Sequence, residues 1–175
     1  MNLNSKNYLL SLLSLSNKID KRMYEMVELF LEKNKNNNSP PITIFINSPG
    51  GDHYYTMKIF ESIAEYPGQT TGYVLKYAFS GAVTILQACK IRTMHYCSHL
   101  RIHKPRISPN IKINNLTNKE IKELEENLKN AWEEICLILS QRSQKKTSFF
   151  ESRSSLTLDA YQALKLKLID EIIFY

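Results

Sequence analysis

One stretch of this 175-residue chain has the residue types and spacing of an activated nucleophile: Tyr77-Ala-Phe-Ser80-Gly-Ala-Val-Thr-Ile-Leu-Gln-Ala88. The extended apolar run Thr71 to Leu75 stops just before it. Small and aliphatic residues then continue at helical spacing, which predicts strand, sharp turn and buried helix. Ser80 falls at the turn, at the positive end of the helix and beside N–H groups with no intrahelical partner. Ala78 and Ala82 flank it, where a tight elbow has no room for bulk. The Gly-x-Ser-x-Gly nucleophile elbow follows the same logic, with alanines here in place of its glycines. A serine in this place is more often a helix cap. By itself Ser80 stays open between the two roles.

Two further clusters carry possible chemistry. Asn47-Ser-Pro-Gly-Gly51-Asp52 has paired glycines but neither a Gly-x-Gly-x-x-Gly pattern nor a Gly-Lys-Ser/Thr ending, so it is a poor phosphate cradle. Glycines also let a backbone N–H approach a reacting carbonyl and meet its developing charge, as an oxyanion hole does. Downstream, His95, Cys97, His99 and His103 would form a metal face on a helix. Their surroundings suit strand and turn better. On a strand, residues four apart lie roughly 13 Å from each other, too far for one ion. No metal is expected.

In order and spacing, Asn47-Ser-Pro-Gly-Gly51, Ala78-Phe-Ser80 followed by small residues, and Arg101-Ile-His103-Lys-Pro105 resemble the proteolytic subunit of the Clp protease (ClpP) family. Its wider relatives are signal-peptide peptidase A and the crotonase-type hydratases. The Ile85-Leu-Gln-Ala88 run looks like phage-type members, and the resemblance spans about residues 19–173. It implies an α/β ClpP/crotonase-type fold of repeated β-β-α units with a protruding strand-helix handle. It also implies a serine peptidase with Ser80 as nucleophile and His103 as base. The N–H groups of Gly51 and Gly81 would form the oxyanion hole. Counting back from Asp170 suggests Glu151 as the acid that orients the histidine, with Asp159 as the fallback. No cofactor is implied. The implied partners are a peptide or unfolded protein substrate, further copies in heptameric rings paired as a tetradecamer, and an AAA+ unfoldase. The alternatives are an inactive ring subunit of the same family or a crotonase-type acyl-CoA enzyme.

The elements that must position these residues can be read in outline. Tyr8 to Leu15 predicts a first strand in preference to a signal peptide, because serines interrupt the apolar run and no Ala-x-Ala-like site follows. Ile19 to Lys33 places Ile19, Met23, Met26, Val27, Phe30 and Leu31 on one helical face. Ile42 to Ile46 is nearly all apolar, as in a strand covered on both sides. A helix from about Tyr54 to Tyr66 completes a strand–helix alternation that argues for a parallel sheet. Arg106 to Ile113 reads as extended, and Thr117-Asn-Lys-Glu120 opens a long helix to about Gln141 with a capping-box pattern. These two form the expected handle, about residues 106–145 of one domain covering 1–175. Lys167 stands where the family usually has glycine.

Hydrophobic residues make up 43% of the chain, enough for a real core. The net charge of +6 comes from scattered lysines and arginines without a basic stripe, which disfavours nucleic-acid binding. Three cysteines without framework spacing suggest reduced thiols and a cytoplasmic protein. No apolar run approaches the roughly 18 residues of a membrane span.

Overall fold

The computed structural model describes residues 11–107 and 111–175. The first strand β1 (Ser11–Leu15) pairs in parallel with β2 (Ile42–Ser48), so the expected N-terminal strand is present. Tyr8 to Leu10, also part of that expectation, lie outside the described residues. Between the two strands runs helix α1 (Lys21–Lys35), which starts two residues later than the apolar face suggests. Asp20 caps it by accepting from Met23 N at 3.0 Å, which leaves Ile19 outside in an isolated parallel bridge to Gly51.

Helix α2 (His53–Ala64) follows β2 and is capped by Asp52, whose side chain accepts from Tyr55 N. Strand β3 (Thr70–Phe79) is the longest of the described strands, and it serves two ladders. Its first half pairs with β2 on one side and with β4 (Ile91–His95) on the other. Its second half, Tyr77 to Phe79, pairs with β5 (His99–His103) instead. The strand therefore carries the chain from one sheet direction to the next before helix α3 (Gly81–Ala88) begins. All eight residues of α3 are buried, which explains the small and aliphatic sequence there.

A long helix α4 (Asn118–Ser143) comes next, opened by the expected capping box between Thr117 and Glu120. Its C-terminal half buries Ala131, Trp132, Ile135, Cys136, Ile138 and Leu139, while its N-terminal half carries no buried residue. Leu124 and Leu128 are half-buried. The extended segment expected before it differs: among its described residues none is in a strand, and Ile113–Asn115 is a turn of 3-10 helix. Pro105 and Pro109 lack the N–H that a ladder needs, and no described strand lies alongside to pair with the rest.

Short helix α5 (Thr147–Glu151), strand β6 (Ser155–Asp159), helix α6 (Ala160–Lys165) and strand β7 (Glu171–Ile173) complete the chain. The main sheet runs β1-β2-β3-β4-β7, all parallel, and β6 joins β5 antiparallel. This is the mixed α/β fold with a parallel sheet that the sequence predicts. One continuous apolar core runs from Leu13 to Ile169. No described helix is long and apolar enough to cross a membrane.

A buried polar cluster braces α3 against the last strand. Arg92, 6% exposed, donates from its backbone N and its guanidinium to the Asp170 carboxylate, at 2.5–3.0 Å. Its remaining arm donates to Gln87 Oε1 at 2.9 Å, and Gln87 Nε2 donates to Leu168 O at 3.2 Å. Burial pushes the Asp170 carboxyl up, but the hydrogen bonds and charge of Arg92 outweigh it and hold the group below the usual carboxylate range. At Lys167 the backbone takes φ 57, the left-handed conformation that favours glycine.

Candidate active site

Ser80 sits at φ 53 and ψ −126, outside the regions a non-glycine residue normally occupies. Such a conformation costs about 1–3 kcal/mol and persists only where its surroundings enforce it. Three contacts do so. Ser80 N donates to Arg101 O at 2.7 Å, tying the elbow to β5. On the other side lies Gly50 at φ +86, where a Cβ would stand 2.7 Å from the Ser80 Cβ and 2.5 Å from Phe79 O. Beneath the turn, Thr56 of α2 leaves no room for a side chain on Gly81. Thr56 is itself fixed, its Oγ1 donating to Asp52 O at 2.7 Å.

Of the two roles open to Ser80, the arrangement does not show the cap. A capping serine turns its oxygen back to an N–H of the first helical turn. Ser80 makes no side-chain cap hydrogen bond to α3. Its half-buried side chain instead lines a small pocket with His103, Val83, Thr84, Ile102, Ile135 and Leu139. The last two come from α4, so the root of that helix forms one wall. The pocket holds only about 10 Å³, room for about one water, and it is a packing recess beside the serine.

The glycine loop approaches from the opposite side. Ser48 Oγ donates to Asn17 O and accepts from Gly50 N, which pins the loop to the β1–α1 junction. In the bridge to Ile19 the hydrogen bonds run through Gly50 O and Asp52 N. The Gly51 N–H between them therefore points away from Ile19. Gly81 is the first residue of α3, and its N–H has no carbonyl four residues back within the helix. Both N–H groups are thus left over by the local backbone pattern.

His103 ends β5 and is half-buried. Its Nδ1 lies 2.8 Å from Lys104 O. A carbonyl oxygen only accepts, so Nδ1 carries the hydrogen and the neutral ring keeps its lone pair on Nε2. The expected acids are placed elsewhere. Glu151 is exposed at the end of α5, and among the described residues no hydrogen bond or ion pair joins it to His103. Asp159 lies opposite His99, and its Oδ1 accepts from Gln162 N at 2.8 Å as the cap of α6. The reason is the register of β5 on β6, which sets Ser155 across from His103. Ser155 lies outside every motif read from the sequence. The alternation Ser155-Leu-Thr-Leu-Asp159 is the signal of a strand that would have placed it.

The histidine run is β4, a turn and β5, as its composition predicts. Cys97 is exposed, whereas Cys89 and Cys136 are buried. Burial pushes both buried thiols up to about 12, so neither is a nucleophile near neutral pH.

A parallel sheet wrapped by helices, with a serine at a strained strand-to-helix turn, places the molecule among mixed α/β proteins. More narrowly, the Clp protease family model matches residues 4–175, and the chain belongs to that family. Among solved structures it is similar to a point mutant of ClpP1 from Listeria monocytogenes. The identity is 20%, the match covers 94% of this chain and 92% of that one, and the TM-score is 0.83. The comparison with curated proteins finds no match.

Proposed function

We propose that this chain is a serine peptidase of the Clp type that cleaves peptide bonds in unfolded protein or peptide substrates. The observation that carries this reading is the Ser80 elbow, strained at φ 53 with its side chain free of any cap bond. Ser80 Oγ attacks the scissile carbonyl carbon while its proton passes to His103 Nε2. The N–H groups of Gly51 and Gly81 take the negative charge that forms on the carbonyl oxygen. As the C–N bond breaks, the imidazolium returns the proton to the leaving amine, and water then hydrolyses the acyl-serine by the same route. Lys104 O holds the ring in the required tautomer.

The family supports assembly into rings, and we place the reaction inside a chamber of two heptameric rings in the cytoplasm. The half-buried Leu124 and Leu128 of α4 fit a contact between copies, and an AAA+ unfoldase is the partner that would feed the chamber. A second reading, an inactive ring subunit, is favoured by the absence, among the described residues, of a carboxylate bonded to His103. One experiment separates the two. A fluorophosphonate probe should label the purified protein and leave Ser80→Ala unlabelled. Labelling retained in Ser80→Ala, or absent from both, would exclude Ser80 as nucleophile. Light scattering on the same samples should give the mass of a ring, and a monomer at high concentration would rule out the chamber.

A further inference from the structure

We infer that the open groove between α2 and α4 is a substrate side-chain subsite, and that it selects a lysine or arginine near the scissile bond. The inference rests on the Ser80–His103 reading above and names a substrate class for it.

The groove encloses about 810 Å³, within the range of ordinary ligand pockets. One wall is His53 and Tyr54, the first two residues of α2. The other is a stretch of α4 that includes Ala131, Glu133, Glu134 and Leu137. Both sides of the site fix its place. His53 stands two residues after Gly51, whose N–H is assigned to the oxyanion. Ala131 and Glu134 lie on either side of Ile135 along α4, and Ile135 lines the recess beside Ser80. That recess, at about 10 Å³, has no room for a side chain. A peptide whose carbonyl meets the Gly51 N–H therefore has a neighbouring side chain within reach of the groove.

The lining fits a long cationic side chain. Tyr54 and Leu137 are 62% and 51% exposed, although both are large and mainly apolar. They offer surface to the methylene stem of lysine or arginine, and the Tyr54 ring face attracts a cation. Glu133 and Glu134 stand beside that surface, and among the described residues no lysine or arginine lines the groove. Glu134 Oε2 lies 3.0 Å from His53 Nε2 and bridges the two helices. Lys129 reaches Glu133 at 3.7 Å, but both side chains are more than half exposed, so the pair is weak. Lys58, 6.0 Å from the Tyr54 centroid, is itself held by Glu61 at 3.3 Å. An acidic substrate side chain would meet like charge here and be rejected.

The test uses internally quenched peptides in which one position, moved stepwise along the chain, is lysine, norleucine or glutamate. Norleucine keeps most of the lysine stem without its charge. At the position that enters the groove, kcat/KM for lysine should exceed that for norleucine at least about fivefold. Salt at about 0.5 M should shrink the ratio. Glu133→Gln combined with Glu134→Gln should bring it to about one, and lysine at both positions should make glutamate the preferred residue. Glu123→Gln, about three turns earlier on α4, should leave the ratio unchanged. Should the double glutamine variant fail to fold, Glu133→Gln alone should still lower it. A ratio near one at every position, or one that survives loss of both carboxylates, would overturn the inference. If no peptide is cut, Ser80→Ala is titrated with the same peptides, and equal or undetectable affinity for the lysine and norleucine forms overturns it as well. Fluorophosphonate labelling of Ser80 needs no side-chain subsite, so its loss marks failure of the peptidase reading instead.

Discussion

Gly50→Ala is the substitution from which the elbow predicts most. Gly50 has φ +86, and a Cβ built on it meets Phe79 O at 2.5 Å, Ser80 Cβ at 2.7 Å and Gly81 N at 3.0 Å. None of the three can swing away, because two are backbone and the third begins a side chain on a strained residue. A side chain held at positive φ costs about 1–2 kcal/mol. Overpacking against immobile neighbours adds a further 1–3 kcal/mol or so. The sum is about 3 kcal/mol, and for a chain of this length that lowers Tm by roughly 6–12 °C. Relief can come only by moving the glycine loop or the elbow. A shift of about 1 Å between reacting groups can cost on the order of a hundredfold in rate. Thermal melting and fluorophosphonate labelling at a temperature where the variant is folded report the two effects separately. A Tm within about 2 °C of the parent together with unchanged labelling would show that Gly50 does not buttress Ser80 and would refute the account of the site.

Ser80→Gly should abolish labelling yet raise Tm by roughly 2–4 °C, since the strain released slightly exceeds the backbone entropy glycine adds to the unfolded chain. A lower Tm in that variant would mean the turn is not strained. Asp170→Asn leaves Arg92 buried without its counter-charge, but the Asp170 side chain is 42% exposed, so the cost is discounted to about 2 kcal/mol, or roughly 4–8 °C in Tm at pH 7. Because the Asp170 pKa is lowered on folding, its contribution is complete above the unfolded value near 3.9 and is lost as pH falls through the folded one. The gap in Tm between parent and variant should hold steady from pH 8 to 6 and close below about pH 4, and a gap that persists in acid would contradict the pairing.

What the sequence discloses and what it conceals follow from the range of the interactions involved. The Ser80 turn, the Thr117–Glu120 capping box and the β-branched run of β2 are set by neighbours a few residues away, so each is visible in a short window. The shared pocket of Ser80 and His103 is reached through the ordered motifs, not from periodicity. The neighbour of His103 is another matter. It depends on which residue of a strand formed roughly fifty positions later lies across from it, and a strand register is fixed by ladder hydrogen bonds and the packing of Leu156 and Leu158 opposite Ile102 and Leu100. Counting along the chain leads to Glu151, which the turn before β6 carries away from the ladder. Likewise, Arg106 to Ile113 has an extended composition, but a strand exists only where something pairs with it.

The cluster that fastens α3 has a bearing on the order in which the fold is completed. Gln87 and Leu168 are 81 positions apart and Arg92 and Asp170 are 78 apart, among the most distant partners in the described structure. Contacts that close such long loops give up their chain entropy before they return any stabilisation, so they are made late. Until they are made, the C-terminal end of the helix that follows Ser80 lacks its hydrogen bonds to Leu168 and to Arg92. A nascent or partly unfolded copy, with its last strand not yet docked on β4, would therefore carry α3 without the anchor at its far end. The helix that begins at the Ser80 turn is thus fully secured only when the last strand is in place, so the end of the chain completes the packing around a residue about ninety positions before it.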